Sequence, residues 1–250
     1  MGEQCYAEQA PETRTRPKVA RGYDWRAVPR FEPWYSFAKN VLRPPIWLWF
    51  EWRFEGFEHI PDEGPALVAC NHISYFDPLA HGYFLVKAGR RPRFLAKTEL
   101  FRNPITGPVL RGARQIPVRR GSGARAPVEF AAKALRDEEL VVVYPEATVT
   151  TNPDSSPMRG KTGIARLTLA AGVPVIPLAV WGSAPVWRRG HRDLRYGRPI
   201  WVKAGPPLDF SEHEEGREDP AVLRRVTGEV MGQLSLLVDD LRARYPKRWS

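Results

Sequence analysis

From Gly56 onward, short apolar runs alternate with stretches of helical periodicity. The runs predict strands at 66–70, 92–96, 115–119, 139–144, 173–180 and 198–203. Between them, apolar residues recur every three to four positions, which predicts helices at 78–88, within 99–112, at 127–137, at 161–171 and at 220–244. Val141-Val142-Val143-Tyr144 and Val173-Pro174-Val175-Ile176-Pro177-Leu178-Ala179-Val180 are apolar at every position, as central strands covered on both faces must be. The two prolines argue against a regular interior strand along the whole second run, because proline cannot donate to the ladder. The last helix places Leu223, Val226, Val230, Leu234, Leu237 and Leu241 on one stripe, a packing face. Alternation of strand and helix predicts an α/β fold, a single domain over 56–250 with a mixed, largely parallel central sheet flanked by helices.

Upstream the pattern changes. Residues 1–32 are polar and rich in Pro and Arg, which predicts a flexible arm. Residues 33–55 read as two short amphipathic helices broken at Pro44-Pro45, and they hold Trp34, Trp47, Trp49 and Trp52 among nine tryptophans in the chain. Tryptophan and arginine together on a short segment suit a membrane interface, so Trp47, Trp49 and Trp52 are predicted to contact lipid. The competing reading is that these aromatics cover the core of the main domain.

Charge narrows the partners. The 250-residue chain carries a net charge of +10, so its surface favours anions: lipid head groups, phosphorylated small molecules or nucleic acid. No nucleic-acid recognition motif accompanies the charge, and nucleic acid is not expected as a partner. The basic run at Arg188-Arg189-Gly190-His191-Arg192, with Arg195 and Arg198, offers a site for anionic lipid or a solvated loop. Cys5 lies in a polar segment and Cys70 in a core strand, which fits a reducing cytosol rather than a disulfide framework. No signal-peptide pattern and no apolar run of spanning length occurs, so the expected location is cytoplasmic, peripherally bound to the inner face of the membrane. His59, His81, His191 and His213 have no partners at ligand spacing, so no metal is expected. The sequence sets no oligomeric state.

The candidate chemistry lies in Asn71-His72-Ile73-Ser74-Tyr75-Phe76-Asp77-Pro78, just after the strand at 66–70. Asp77-Pro78 reads as the N-cap and first position of the next helix, which leaves His72 on the intervening turn. On a continuous helix a spacing of five separates two side chains; on a turn the carboxylate can fold back onto one imidazole nitrogen. The other nitrogen is then free to accept a proton from a hydroxyl. Cys70 points into the core and is not read as a nucleophile. Three further segments draw attention. Gly112 to Gly121 forms a short strand that ends in Arg119-Arg120, a grip for phosphate. Tyr144-Pro145-Glu146-Ala147-Thr148 follows a buried strand, where open α/β sheets place ligand loops. Arg159-Gly160-Lys161-Thr162-Gly163 opens a helix and favours an anion, but the upstream glycine of a nucleotide-binding P-loop is missing.

In this order and spacing the segments resemble the 1-acylglycerol-3-phosphate acyltransferase family of the glycerolipid acyltransferase superfamily. Asn71-His72-x-Ser74-x-x-Asp77 matches its first block, Gly112 to Arg120 its second, Tyr144 to Thr148 its third and Val173 to Pro177 its fourth. The resemblance covers roughly residues 56–205 and makes 56–250 an acyltransferase domain. It implies transfer of a fatty acyl group from acyl-CoA or acyl-carrier protein to a lysophospholipid hydroxyl. The implied acceptor is 1-acylglycerol-3-phosphate, giving phosphatidate; the alternatives are another lipid such as a glycolipid, or a non-catalytic lipid-binding relative. The implied roles are His72 as general base and Asp77 as its orienting carboxylate, with no metal and no cofactor beyond the acyl thioester. Asn71, Ser74, Lys97, Arg120, Glu146, Ala147, Thr148 and Lys161 are the implied substrate-binding positions. Donors for the tetrahedral oxyanion come either from the turn at 71–77 or from the loop at 146–148. Two positions depart from the family. Ala147 stands where glycine is usual, which matters if that glycine has positive φ, and Val149 stands where many members carry arginine.

Overall fold

The computed structural model describes residues 47–118, 125–137, 139–188 and 190–249. Seven strands form one sheet: β1 (Phe50–Glu55), β2 (Ala66–Cys70), β3 (Pro92–Lys97), β4 (Ile116–Val118), β5 (Leu140–Val143), β6 (Val175–Trp181) and β7 (Arg198–Ala204). Their order is β1-β7-β6-β2-β5-β3-β4. Every neighbouring pair is parallel except β6 with β7. Among the described residues six α-helices accompany them: α1 (Asp77–Lys87), α2 (Thr98–Arg102), α3 (Thr106–Gly112), α4 (Arg125–Arg136), α5 (Gly163–Ala171) and α6 (Pro220–Arg244). The mixed, largely parallel α/β architecture agrees with the pattern of apolar runs.

β2 lies at the centre, and its side chains divide by the strand period of two. Ala66, Val68 and Cys70 pack under α1 with Val142, Ile176, Leu178 and Val180. Leu67 and Ala69 pack on the other face with α4, α5 and α6, among them Leu135, Ile164, Leu167, Val226 and Val230. Both faces are covered, so the strand carries no polar side chain.

Three readings need correction. The second helix expected within 33–55 ends early. A helical turn at 47–49 gives way to β1, which pairs with β7 from Phe50↔Arg198 to Glu55↔Lys203. The cause is alternation: Phe50, Trp52 and Phe54 face α1, while Arg53 and Glu55 on the opposite face meet Trp201, Arg244 and Lys203. Trp52 is therefore packed among aromatics, with ring centroids 5.0 Å from Tyr83 and 6.3 Å from Phe76, and its expected place on the lipid-facing surface is not where the strand puts it. The first helix of that segment and the arm at 1–32 lie outside the described residues. Second, β6 begins only after Pro174, as the prolines suggest, but it runs unbroken through Pro177. The Pro177 carbonyl accepts from Gly205 N at 2.8 Å, so the side on which proline lacks a donor faces the end of β7, where the ladder is finishing anyway. Third, Asp77 is the first residue of α1 rather than its cap; Phe76 holds the cap position.

Candidate active site

Strands β2, β3, β4, β5 and β6 run in one direction, so the segments after them emerge at one edge of the sheet. That edge collects the turn 71–77 after β2, the loop 144–150 after β5, Lys97 at the end of β3, and the segment 182–197 after β6. The antiparallel β7 brings the N-terminal end of β1, with Trp47 and Trp49, to the same edge.

The turn is organised around Asp77, which is fully buried. Its Oδ2 accepts from Ile73 N at 2.6 Å, Ser74 N at 2.7 Å and His72 Nδ1 at 3.0 Å. Its Oδ1 accepts from Ser183 Oγ at 2.6 Å. A carboxyl group receiving two backbone amides on one oxygen is an acceptor there, so the proton between it and His72 resides on Nδ1. Nε2 then carries the lone pair. The His72 side chain keeps 14% exposure. The imidazole stacks on Tyr144, with centroids 4.2 Å apart. The Tyr144 hydroxyl bonds His81 Nδ1 at 3.1 Å, and burial pushes the His81 imidazole down to about 4, so it is neutral at pH 7. Burial pushes the Cys70 thiol well above its ordinary value, which removes it as a nucleophile.

Glu146 ties the third motif to the first. It is 3% exposed, and its two oxygens accept from His72 N at 3.0 Å and Met158 N at 2.9 Å. Burial raises its pKa, and those two amides oppose the rise. Thr150 N donates to His72 O at 2.7 Å, and Lys161 N to Pro145 O at 2.9 Å. These bonds place the exposed Lys161 beside the 146–148 loop. Ala147 adopts φ +60°, the left-handed region that its usual glycine enters freely. The family departure is thus accommodated with backbone strain of about 1–2 kcal/mol, at a loop tip where Ala147 and Thr148 are exposed.

Two residues expected to bind substrate have their side chains bonded within the protein. Asn71 is fully buried; its amide donates to Val180 O at 3.0 Å and accepts from Val180 N at 2.8 Å. Ser74 is buried too; its hydroxyl donates to Trp187 O at 2.8 Å and accepts from Phe76 N at 3.1 Å. Both side chains hold the turn. Lys97 is exposed at the catalytic edge. Arg120 lies outside the described residues, beyond Val118 at the end of β4. Sequence reasoning missed Ser183 and the Trp187 carbonyl, which fasten the turn from more than 100 positions away; no local spacing signals such partners.

Comparison with known proteins agrees with this geometry. Residues 51–181, more than half the chain, match the acyltransferase family. A 1-acyl-sn-glycerol-3-phosphate acyltransferase of Bacillus subtilis is 25% identical over 210 residues, covering 83% of this chain and 100% of that protein. A chloroplast protein of the same name from Arabidopsis thaliana is 26% identical, over 71% of this chain and 49% of its own length. The crystal structure of the 1-acyl-sn-glycerophosphate acyltransferase of Thermotoga maritima superposes with a TM-score of 0.65 at 25% identity, covering 86% of this chain and 81% of that one. With its first and third motifs joined at one sheet edge and residues 51–181 matched, the chain belongs to the acyltransferase family.

Proposed function

We propose that the protein transfers a fatty acyl group from a thioester donor, acyl-CoA or acyl-carrier protein, to the free hydroxyl of 1-acylglycerol-3-phosphate, giving phosphatidate. The observation that carries this reading is the buried Asp77 carboxylate 3.0 Å from His72 Nδ1, with two backbone amides on the same oxygen, an arrangement that favours a proton on Nδ1 and a basic Nε2. The acceptor hydroxyl gives its proton to Nε2 as its oxygen attacks the thioester carbonyl. The tetrahedral intermediate collapses with cleavage of the C–S bond, and the departing thiolate takes the proton back from the imidazolium. The step as written uses no metal or cofactor. Lys97 and Lys161 are exposed at the same edge, and with Arg120 they supply cations for the acceptor phosphate, as the resemblance assigns.

The 146–149 loop is the better source of oxyanion donors. Every amide from His72 to Asp77 is engaged, by Glu146, Asp77, Trp187 or Ser74. The turn has none left to offer. Thr148 and Val149, following the left-handed Ala147, have no such bond from their amides among the described residues, which makes these two N–H groups the candidate donors.

The direct test measures thiol release from oleoyl-CoA with and without lysophosphatidic acid. Wild type should show acceptor-dependent release, and His72→Ala should lose roughly 10²- to 10⁴-fold of it. Release that survives the substitution would remove His72 as the base. Failure of the wild type with every acyl-CoA, acyl-carrier protein and acceptor head group would favour a lipid-binding relative.

A lipid acceptor places the site at a membrane, and the exposed aromatics agree. Trp47 and Leu48 are more than half exposed at the catalytic edge, while Trp49 is anchored through Nε1 to Leu194 O at 2.7 Å. No helix among the described residues is long and apolar enough to cross a membrane. Peripheral binding at the inner face, through Trp47, Trp49 and the basic surface, is the matching arrangement. The double substitution Trp47→Ser, Leu48→Ser should lower co-flotation with anionic vesicles about tenfold while leaving the melting temperature unchanged. Equal flotation would retire the anchor.

A further inference from the structure

The segment after β6 forms a recess on the far side of the catalytic turn from the lysines. It has a volume of about 460 Å³ and is lined by Tyr75, Trp187, Arg188, Gly190, His191 and Arg192. That volume falls in the range of about 300–1,000 Å³ typical of small-molecule sites. None of its lining residues is acidic. The nearest carboxylate in the loop, Asp193, is taken up by Arg195 and Arg198. The Arg195 hydrogen bond is the largest cause holding its carboxyl at about 2. Among the described residues Arg188 and Arg192 face no such partner: the Arg188 guanidinium reaches the Asn152 carbonyl, at 3.5 Å, and the Arg192 guanidinium lies 4.6 Å above the Trp187 ring. Tyr75 meets Trp187 edge-on at 5.9 Å. A tight turn holds the rim, with Arg188 and His191 exchanging backbone bonds of 2.9 and 3.1 Å across Gly190, whose φ is +77°.

The recess is fastened to the catalytic turn. The Trp187 carbonyl accepts from Tyr75 N at 2.9 Å and from Ser74 Oγ at 2.8 Å. Its place in the sheet order gives it meaning. β2, which delivers His72, lies between β5 and β6. Lys97 follows β3 and Lys161 is bonded to the loop after β5, so the cations assigned to the acceptor phosphate lie on the β5 side. The recess lies on the β6 side. Two substrates must converge on one imidazole, and each side of β2 carries its own anion-favouring group of residues.

We infer that this recess binds the phosphorylated adenosine end of an acyl-CoA donor. Trp187 and Tyr75 offer aromatic faces to the purine, and Arg188 and Arg192 offer guanidinium groups to the ribose phosphate and the pyrophosphate. An acyl-carrier protein presents only the pantetheine arm and has no nucleotide to place there. The inference rests on the proposed acyl transfer and selects between its two donors.

Adenosine 3′,5′-bisphosphate is the probe, because it carries the nucleotide and no thioester. Its binding to the full chain, followed by calorimetry, should be weakened about tenfold or more in Arg188→Ala, Arg192→Ala. In steady state it should compete with acyl-CoA and not with the acceptor. The same double variant should raise KM for acyl-CoA about tenfold, and the effect should vanish with acyl-pantetheine, which lacks the nucleotide. A structural lesion would affect both donors alike, and that result would overturn the inference. So would a wild type that fails to bind the bisphosphate, or a variant that binds it as well as the wild type. Saturation by acyl-carrier protein with a KM sensitive to these arginines, in the absence of bisphosphate binding, would reassign the recess to that protein. Bisphosphate binding is read without turnover, so an inactive enzyme would count against the acyl-transfer reading alone.

Discussion

Asp77→Ala should lower stability by about 3–5 kcal/mol and reduce turnover by roughly three orders of magnitude or more. The magnitude follows from the number of donors the carboxylate satisfies in a site with no access to water. Removing it leaves the amides of Ile73 and Ser74, the Nδ1–H of His72 and the hydroxyl of Ser183 without their acceptor. Asp77→Asn separates the hydrogen bonds from the charge. Placing the asparagine NH₂ against Ile73 N and Ser74 N would set donors against donors, so its carbonyl oxygen must take the Oδ2 position. The NH₂ then faces Ser183 Oγ, which can turn its hydroxyl and accept. Nδ1 of His72 keeps its proton and Nε2 remains a base. What is lost is the negative charge that stabilises the imidazolium, an effect of about 10² in rate, with a stability loss of only about 1–2 kcal/mol. Denaturant melts and kcat for the two variants test this ordering. An Asn variant as damaged as the Ala variant would show that the charge, not the acceptor geometry, organises the turn.

The His72–Asp77 pair was legible because both partners lie on one turn, five positions apart, beside an uninterrupted apolar strand. Its supports were not. Ser183 comes from the far end of β6, and the Glu146 contact joins positions 74 residues apart; the sheet order creates both, and no local period encodes it. Glu146 stood out as a motif residue, yet its carboxylate serves backbone amides, a role that depends on burial. β1 was hidden by a slip in phase. Trp47 and Trp49 alternate on odd positions, Phe50, Trp52 and Phe54 on even ones, and the break between Trp49 and Phe50 blurs the strand period into an aromatic helix. Once Phe50 is taken as the start, the alternation with Glu51, Arg53 and Glu55 is regular. The strained backbone at Ala147 was foreseeable only as a condition, since the residue type warns of a cost but φ decides whether it is incurred.

Gly182→Ala should be the most damaging glycine substitution near the site, at about 3 kcal/mol or more, and should impair catalysis with it. Gly182 directly follows β6 at φ +88°, and an added Cβ would lie 2.3 Å from Pro199 O and 2.6 Å from the Tyr245 hydroxyl. Those atoms cannot easily withdraw, because the Tyr245 hydroxyl itself donates to Pro199 O at 2.8 Å, inside the buried contact between β7 and the end of α6. Relief must come from Gly182, and the next residue is Ser183, whose hydroxyl holds Asp77 Oδ1. The segment that follows carries Trp187, the acceptor for Tyr75 and Ser74. A shift here therefore reaches the catalytic carboxylate and the arginine-lined recess together. Gly89→Ala is the control: φ is +80° and nothing lies within 4 Å of the added carbon, so it carries only the conformational cost of about 1–2 kcal/mol. The difference between the two in denaturant melts isolates the steric part, and it should exceed about 1 kcal/mol. Gly182→Ala should also lower kcat and raise KM for the acyl donor, whereas Gly89→Ala should leave both near wild type. Equal stability losses would mean that β7 gives way without cost, and unchanged kinetics would mean that Ser183 reaches Asp77 from more than one backbone position.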